Sequence, residues 1–280
     1  MVLEEIREKL RPPCPVLDVH THPLPGFGPH TVRSVEEDAE LLAGAGSRSG
    51  VVKVCVFSVH HTCPREPTMD QCREANDYVL RLRDVKPEFF LPFCYVTPEF
   101  PEESAAEIER CVEGERMVGV KIWVARRATD PGLDPIMEKA VKLGVPVLQH
   151  AWRKTVGQLE GESYPADVAD LARRHPQVKI IMAHLNGVNP RGIEDVVDCP
   201  NVSIDVAGGD PESGVVEQAV SRLGMERVLY GSDAPIRHFG VMMSKILGAD
   251  LSVEDKRNIL WNNAARLLPP WAEVEPLEEV

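Results

Sequence analysis

Pro15-Val16-Leu17-Asp18-Val19-His20-Thr21-His22 is a short apolar run that ends in two histidines one residue apart. As a strand it puts His20 and His22 on one face with Val16 and Asp18, and Leu17 and Val19 on the other, because side chains alternate with a period of two. Two imidazoles at that spacing can grip one divalent ion, since neutral imidazole nitrogen suits zinc and its first-row neighbours. So short a motif also describes an ordinary pair of loop histidines, and the rest of the chain has to decide between them.

Outward from this strand the chain alternates. The helical spacing of Leu3, Ile6 and Leu10 predicts an N-terminal helix. Ser34-Val35-Glu36-Glu37 reads as a capping box that opens a helix through Leu42. Strand-like runs follow at 51–57, 89–96, 117–124, 145–150, 178–184, 202–205 and 227–233. Helices are expected near 70–84, 102–111, 133–144, 165–174, 193–197 and 213–223, and from 252 to 267. Eight strands alternating with helices over 280 residues predict an α/β fold, a (β/α)8 TIM barrel forming a single domain. Its core would span 16–268, with an acidic, proline-rich tail, 269–280, on the surface. No G-x-G-x-x-G follows the first strand, which argues against a dinucleotide-binding open sheet.

Composition narrows the function. Hydrophobic residues make up 43% of the chain and charged residues 27%, enough apolar material for a full core. A net charge of −13 without a Lys/Arg stripe argues against nucleic acid and against an anionic membrane surface. No apolar run approaches membrane-spanning length. The opening Met1 to Arg7 carries acids and no apolar core, so no secretory signal is expected. Seven cysteines without metal-finger spacing read as reduced residues of a cytoplasmic protein, and nothing in the sequence argues against a homo-oligomer.

On such a barrel the polar residues converge. His20 and His22 end strand one, His150 ends strand five, His184 ends strand six and Asp233 ends strand eight, all at the face where barrel enzymes keep their active sites. Closure brings strand eight beside strand one. Any one of these histidines alone reads as a satisfied core residue, but four with an aspartate on one rim read as a metal site. In 117–124 the apolar Val118, Val120, Ile122 and Val124 share the helix-covered side, so Lys121 points inward, either toward a substrate carboxylate or toward Asp18 or Asp205. Asp18 lies deeper, as an orienting group or a paired core acid. Arg126 and Arg127 follow strand four, Arg153 follows His150, and Arg237 with His238 follows Asp233. Together they point to an anionic small-molecule substrate, a carboxylate gripped foremost by Arg153. His60 and His61 read as solvated loop residues.

The segments His20-Thr21-His22, Gln149-His150, Pro176 to Leu185, Gly231-Ser232-Asp233-Ala234-Pro235 and Asn258 to Leu268 resemble the amidohydrolase superfamily. More narrowly they resemble its amidohydrolase-related branch, which groups hydrolases with metal-dependent decarboxylases. The resemblance implies that His20, His22, His150 and Asp233 hold one divalent ion, with zinc favoured, and that His184 faces the substrate or a second ion. It also implies that Asp233 moves a proton between water and the leaving group, with His184 steadying the oxyanion. A lysine on this strand is carboxylated in some members, so a binuclear site at Lys121 stands beside the favoured one-ion site. The compact loop between His22 and Ser34, together with Lys121, favours hydrolysis of an ester, lactone or amide. His150-Ala151-Trp152 is similar to the His-Pro-Trp of aminocarboxymuconate-semialdehyde decarboxylases, which keeps non-oxidative decarboxylation as the alternative. Asn186 stands where the family more often has glycine. A non-catalytic ligand-binding barrel is the third reading, and the complete metal set argues against it.

Overall fold

A computed structural model describes residues 11–27, 31–154, 156–209 and 212–278, with the side chains of 186 and 188–191 left out. The expected N-terminal helix and the Asn186 side chain therefore lie outside the described part. Eight parallel strands run in sequence order: β1 Val16–Thr21, β2 Val51–Val56, β3 Phe90–Tyr95, β4 Gly119–Ile122, β5 Val147–Gln149, β6 Ile180–Met182, β7 Val202–Asp205 and β8 Val228–Leu229. Helices fill the crossovers: α1 Val35–Arg48, α2 Met69–Val85, α3 Pro101–Glu109, α4 Asp134–Leu143, α5 Pro165–Arg174, α6 Leu185–Asp195 and α7 Val215–Leu223. Beyond β8 come α8 Phe239–Leu247 and a last helix in three pieces, α9 Val253–Arg257, a π-helical turn at Asn258–Asn262 and α10 Asn263–Leu267. The sheet closes between the chain just past β8 and β1, where Val19 N donates to Tyr230 O, Asp233 N to His20 O and His22 N to Ala234 O, the last at 2.7 Å. This is the TIM barrel that the alternation predicts.

The strands are continuous apolar runs because both of their faces are covered. Val54, Val120, Ile122, Val147 and Ile180 pack outward against Leu42, Val79, Ile108 and Ile136 of the helices. Leu17, Val19, Cys55, Phe93, Leu148, Ile181 and Leu229 fill the barrel itself.

The phase of β1 differs from simple alternation. Leu17 and Val19 belong to the interior, yet the rings of His20 and His22 also sit inside, 5.1 and 4.7 Å from the Phe57 ring. The pairing register accounts for this: β1 takes three steps from Asp18 to Thr21 where β2 takes two from Val54 to Val56. The extra residue is a bulge that re-aims the following side chains. Val16, expected on the histidine face, packs in the outer layer instead.

Local chemistry explains other differences. Ser34 caps α1 by accepting from Glu37 N, but the Glu37 carboxylate turns to Arg33 rather than closing a capping box. That helix runs on to Arg48, because Gly46 clears the Phe89 ring that packs beneath it. Gly187 and Pro190 disguise α6, which starts directly after His184 rather than at Ile193. The apolar α8 is absent from the sequence-based expectation. The tail is not a loose surface strand through its described residues: Ala272 and Val274 are buried, Trp271 Nε1 reaches Met117 O, and Trp261 Nε1 donates to Glu275 O at 2.8 Å. Together with Trp261, Ala265 and Leu268 the tail closes the bottom of the barrel, because its apolar residues outweigh its surface-facing glutamates. Among the described residues no helix is long and apolar enough to cross a membrane.

Because Trp261 joins the barrel interior to this plug, Trp261→Ala is expected to lower unfolding stability by about 3 kcal/mol. Urea unfolding followed by circular dichroism reads this, and an unchanged midpoint would refute the plug.

Candidate metal centre and active site

The C-terminal ends of β1, β4, β5 and β6, with the chain after β8, line a cavity of about 250 Å³. Two residues on its rim adopt left-handed backbone, His184 at φ 73° and Asp233 at φ 62°. Neither is glycine, so each conformation costs roughly 1–2 kcal/mol, the kind of strain that clusters at working sites. In both cases it turns a side chain from the end of a strand into the mouth.

The proton inventory decides what the mouth wants. His20 Nδ1 lies 2.8 Å from Asp205 Oδ2, and His22 Nδ1 lies 3.1 Å from Phe57 O. Both partners accept, so each ring spends its one N–H there and presents a bare Nε2 lone pair. Burial holds both imidazoles below their ordinary pKa, which keeps them neutral. These two lone pairs face Asp233 Oδ1 at 3.5 and 3.4 Å. As a carboxylate Asp233 only accepts, so it adds a third electron-rich atom to those two lone pairs. Three electron-rich atoms, all within 4.8 Å of one another and with no proton between them, repel unless a cation sits among them. The residues present therefore fit a divalent metal.

His150 and His184 occupy the other side of the mouth. His150 Nε2 lies 2.9 Å from the Glu162 carboxylate and its Nδ1 lies 3.2 Å from His184 Nε2. Its ring atoms therefore do not join the compact triad of His20, His22 and Asp233. His184 packs 4.9 Å from the His20 ring and 4.7 Å from Trp152, and its buried Nδ1 has no hydrogen-bond partner among the described residues. Lys121 points inward as expected, with Nζ 4.6 Å from the Phe57 ring centroid and no ion pair among the described residues. Burial lowers its pKa, and Asp205 and Asp233 hold the fall back.

The arginines separate. Arg153, the foremost expectation, pairs with Asp195, and Arg126 pairs with Glu99 at 2.7 Å and Glu66 at 3.3 Å, so carboxylates of the protein itself take both away from the cavity. Arg127 stacks on Tyr164, and His238 caps α8. Arg237 alone of the four arginines lines the mouth. His60 is not solvated but buried, held by Thr62 and Glu74 beside a separate cavity of about 620 Å³. Asp18 accepts from His20 N and Ser232 N, and burial raises its pKa to about 8, so it clamps the bulge to the closing segment rather than facing the mouth.

Sequence reasoning undervalued two acids. Asp205, considered only as a partner for Lys121, ends β7 and binds His20 Nδ1, His184 N and Ala207 N; the strand-end rule that found the histidines would have found it. Glu162 lies in a loop with no motif. Gly208 is required where it stands: a Cβ there would come within 2.3 Å of His184 Nδ1.

A parallel barrel with an imidazole–carboxylate centre at its C-terminal face defines a metal-dependent barrel enzyme. The chain belongs to the amidohydrolase family, whose profile matches residues 17–269. A curated relative, 2-amino-3-carboxymuconate-6-semialdehyde decarboxylase of Dictyostelium discoideum, is 22% identical over 243 residues, covering 72% of this chain and 67% of that protein. The crystal structure of 2,6-dihydroxybenzoate decarboxylase from Rhizobium superposes with a TM-score of 0.72 at 16% identity, covering 91% of this chain and 98% of the other. That of 5-carboxyvanillate decarboxylase from Novosphingobium aromaticivorans, complexed with manganese and a nitrobenzoic acid, gives 0.71 at 16%, covering 92% and 96%. These relatives overturn the expectation of hydrolysis. Lys121, one of the two features that favoured it, lines the cavity, a place that either reaction allows.

If Asp205 fixes the tautomer of His20, Asp205→Asn weakens metal binding about 10- to 100-fold while the fold is kept. Competition with a chelator measures this, and an unaltered affinity would remove Asp205 from the centre.

Proposed function

We propose that this chain is a metal-dependent, non-oxidative decarboxylase of a small carboxylate on a single ring or a conjugated chain. One observation carries the reading. The donor triad of His20, His22 and Asp233 shares its cavity with two cations that no carboxylate occupies among the described residues, Lys121 and Arg237, between the aromatic walls of Phe27, Trp123 and Trp152. The kinship with decarboxylases supports it. A cavity of about 250 Å³ suits one ring with its substituents.

His20, His22 and Asp233 would hold a single ion, with His150 and His184 beside it. The histidine-rich donors favour zinc, and manganese is the alternative that three related structures carry. When bound, the ion supplies positive charge next to the group on which negative charge gathers as the carbon–carbon bond breaks. Lys121 and Arg237 bind and orient the substrate carboxylate, and a carboxylate beside Lys121 restores the ammonium that burial weakens. Trp152 and Phe27 exclude water, which favours loss of charge from the carboxylate. The balance is R–COO⁻ + H⁺ → R–H + CO₂, so one proton must reach the carbon that is vacated. Asp233 stands at the mouth to carry it on a carboxyl oxygen, and the His184 and Trp152 rings, packed against each other, form one wall for the substrate. We assign no carboxylation to Lys121, since an inward ammonium near two acids needs no modification.

Incubation with ring-labelled hydroxybenzoates and with unsaturated dicarboxylic semialdehydes is expected to release carbon dioxide from the carboxylate, with one deuterium entering the vacated carbon in D₂O. Asp233→Asn should lower that turnover by at least about 100-fold. A product that gains water and keeps every carbon would overturn the reading. Elemental analysis is expected to find one divalent ion per chain, whose removal by chelator abolishes turnover and whose return restores it; two ions would revive the bridging lysine.

A further inference from the structure

The loop after β5 folds onto the mouth and brings a carboxylate with it. Glu162 is 1% exposed, and a buried carboxylate survives only if its lone pairs are used. Here they are. Lys154 Nζ donates to both oxygens at 2.8 and 2.9 Å, Leu159 N donates to Oε2 at 3.1 Å, and His150 Nε2 lies 2.9 Å from Oε1. Gln158 locks the loop by accepting from Lys154 N and donating to Trp152 O. The outer end of this arrangement reaches water at Lys154, and the inner end is the His150–His184 pair.

We propose that Glu162 is a positioning residue that sets the tautomers of both His150 and His184. An ionised carboxylate can only accept, so His150 must carry its hydrogen on Nε2. Only one hydrogen fits between two ring nitrogens 3.2 Å apart, and a buried imidazole carries a second hydrogen only where a second acceptor meets it. His150 Nδ1 is then a lone pair and accepts the Nε2–H of His184 across 3.2 Å. His184 in turn keeps its Nδ1 bare, and that buried atom lies against Gly208 with no hydrogen-bond partner among the described residues. One carboxylate from a loop thereby decides which nitrogen carries the hydrogen in each of two rings that line the cavity. No sequence feature of the barrel assigns Glu162 any part in the site.

The consequence for turnover rests on the decarboxylase reading, but the tautomers do not, so they are measured first. The full-length chain, labelled with ¹⁵N-histidine and loaded with diamagnetic Zn²⁺, is studied by long-range ¹H–¹⁵N correlation, with His150→Asn and His184→Asn supplying the assignments. In the wild type the hydrogen of His150 is expected on Nε2. In Glu162→Gln only one oxygen remains; Lys154, which can only donate, claims it, and the amide NH₂ faces the ring, so the His150 hydrogen moves to Nδ1 and His184 loses its acceptor. In Lys154→Met the carboxylate is kept and the wild-type tautomer is expected to persist. A wild-type His150 protonated on Nδ1, or a Glu162→Gln spectrum unchanged from the wild type, overturns the proposal. The first of these needs no variant to fold. With a confirmed carboxylate substrate, Glu162→Gln is expected to lose about 10- to 100-fold in turnover. Loss of the tautomer without any decarboxylation in the wild type would count against the reaction and not against Glu162.

Discussion

Asp233 Oδ1 lies within 3.5 Å of two imidazole nitrogens whose hydrogens are spent elsewhere, and much of the mouth serves to impose that unfavourable meeting. It exists because the barrel closes. The backbone of His20, His22 and Asp233 takes part in the hydrogen bonds that join the chain after β8 to β1, so the same bonds that remove the sheet edge also set the donor triad. Asp18 reinforces the seam from behind by accepting from the backbone on both sides of it.

Around this seam each buried carboxylate is met by a hydrogen-bond donor, since an isolated buried ion is costly. Asp205 answers His20, and Glu162 answers His150 and Lys154. Lys121 and Arg237 are left over on the cavity wall without a carboxylate among the described residues. The two left-handed residues, His184 and Asp233, store strain at the same rim. The neighbouring packing accommodates it: Gly208 makes room for one imidazole edge and Gly231 lies against His20 and Asp205.

Much of the barrel was legible because its signals are local. Apolar runs broken by Gly, Pro and polar clusters mark all eight strands, and each strand end can be read from where the run stops. Glu162 was invisible because its loop carries no period and no motif; its role comes from contacts with Lys154 and His150. Arg153 was overvalued for the opposite reason. Three positions from His150 it sounds close, yet Asp195 on α6 captures its guanidinium. The tail misled through composition, since its glutamates are conspicuous in sequence while Trp271, Ala272 and Val274 do the packing.

By itself the sequence determined the barrel, its strand order and the rim positions of His20, His22, His150, His184 and Asp233, because periodicity and chain length are properties of short segments. Only the tertiary structure decided which of these meet and through which nitrogen. The bulge in β1 reversed the expected facing of the histidine strand relative to Val16, Leu17 and Val19, and it is visible only as a mismatch of register with β2. The tautomers of His20, His22 and His150 follow from Asp205, Phe57 and Glu162, acceptors 185, 35 and 12 residues away in sequence. A hydrogen bond depends on distance and on what its partner has already bonded, and neither is written in the order of the residues.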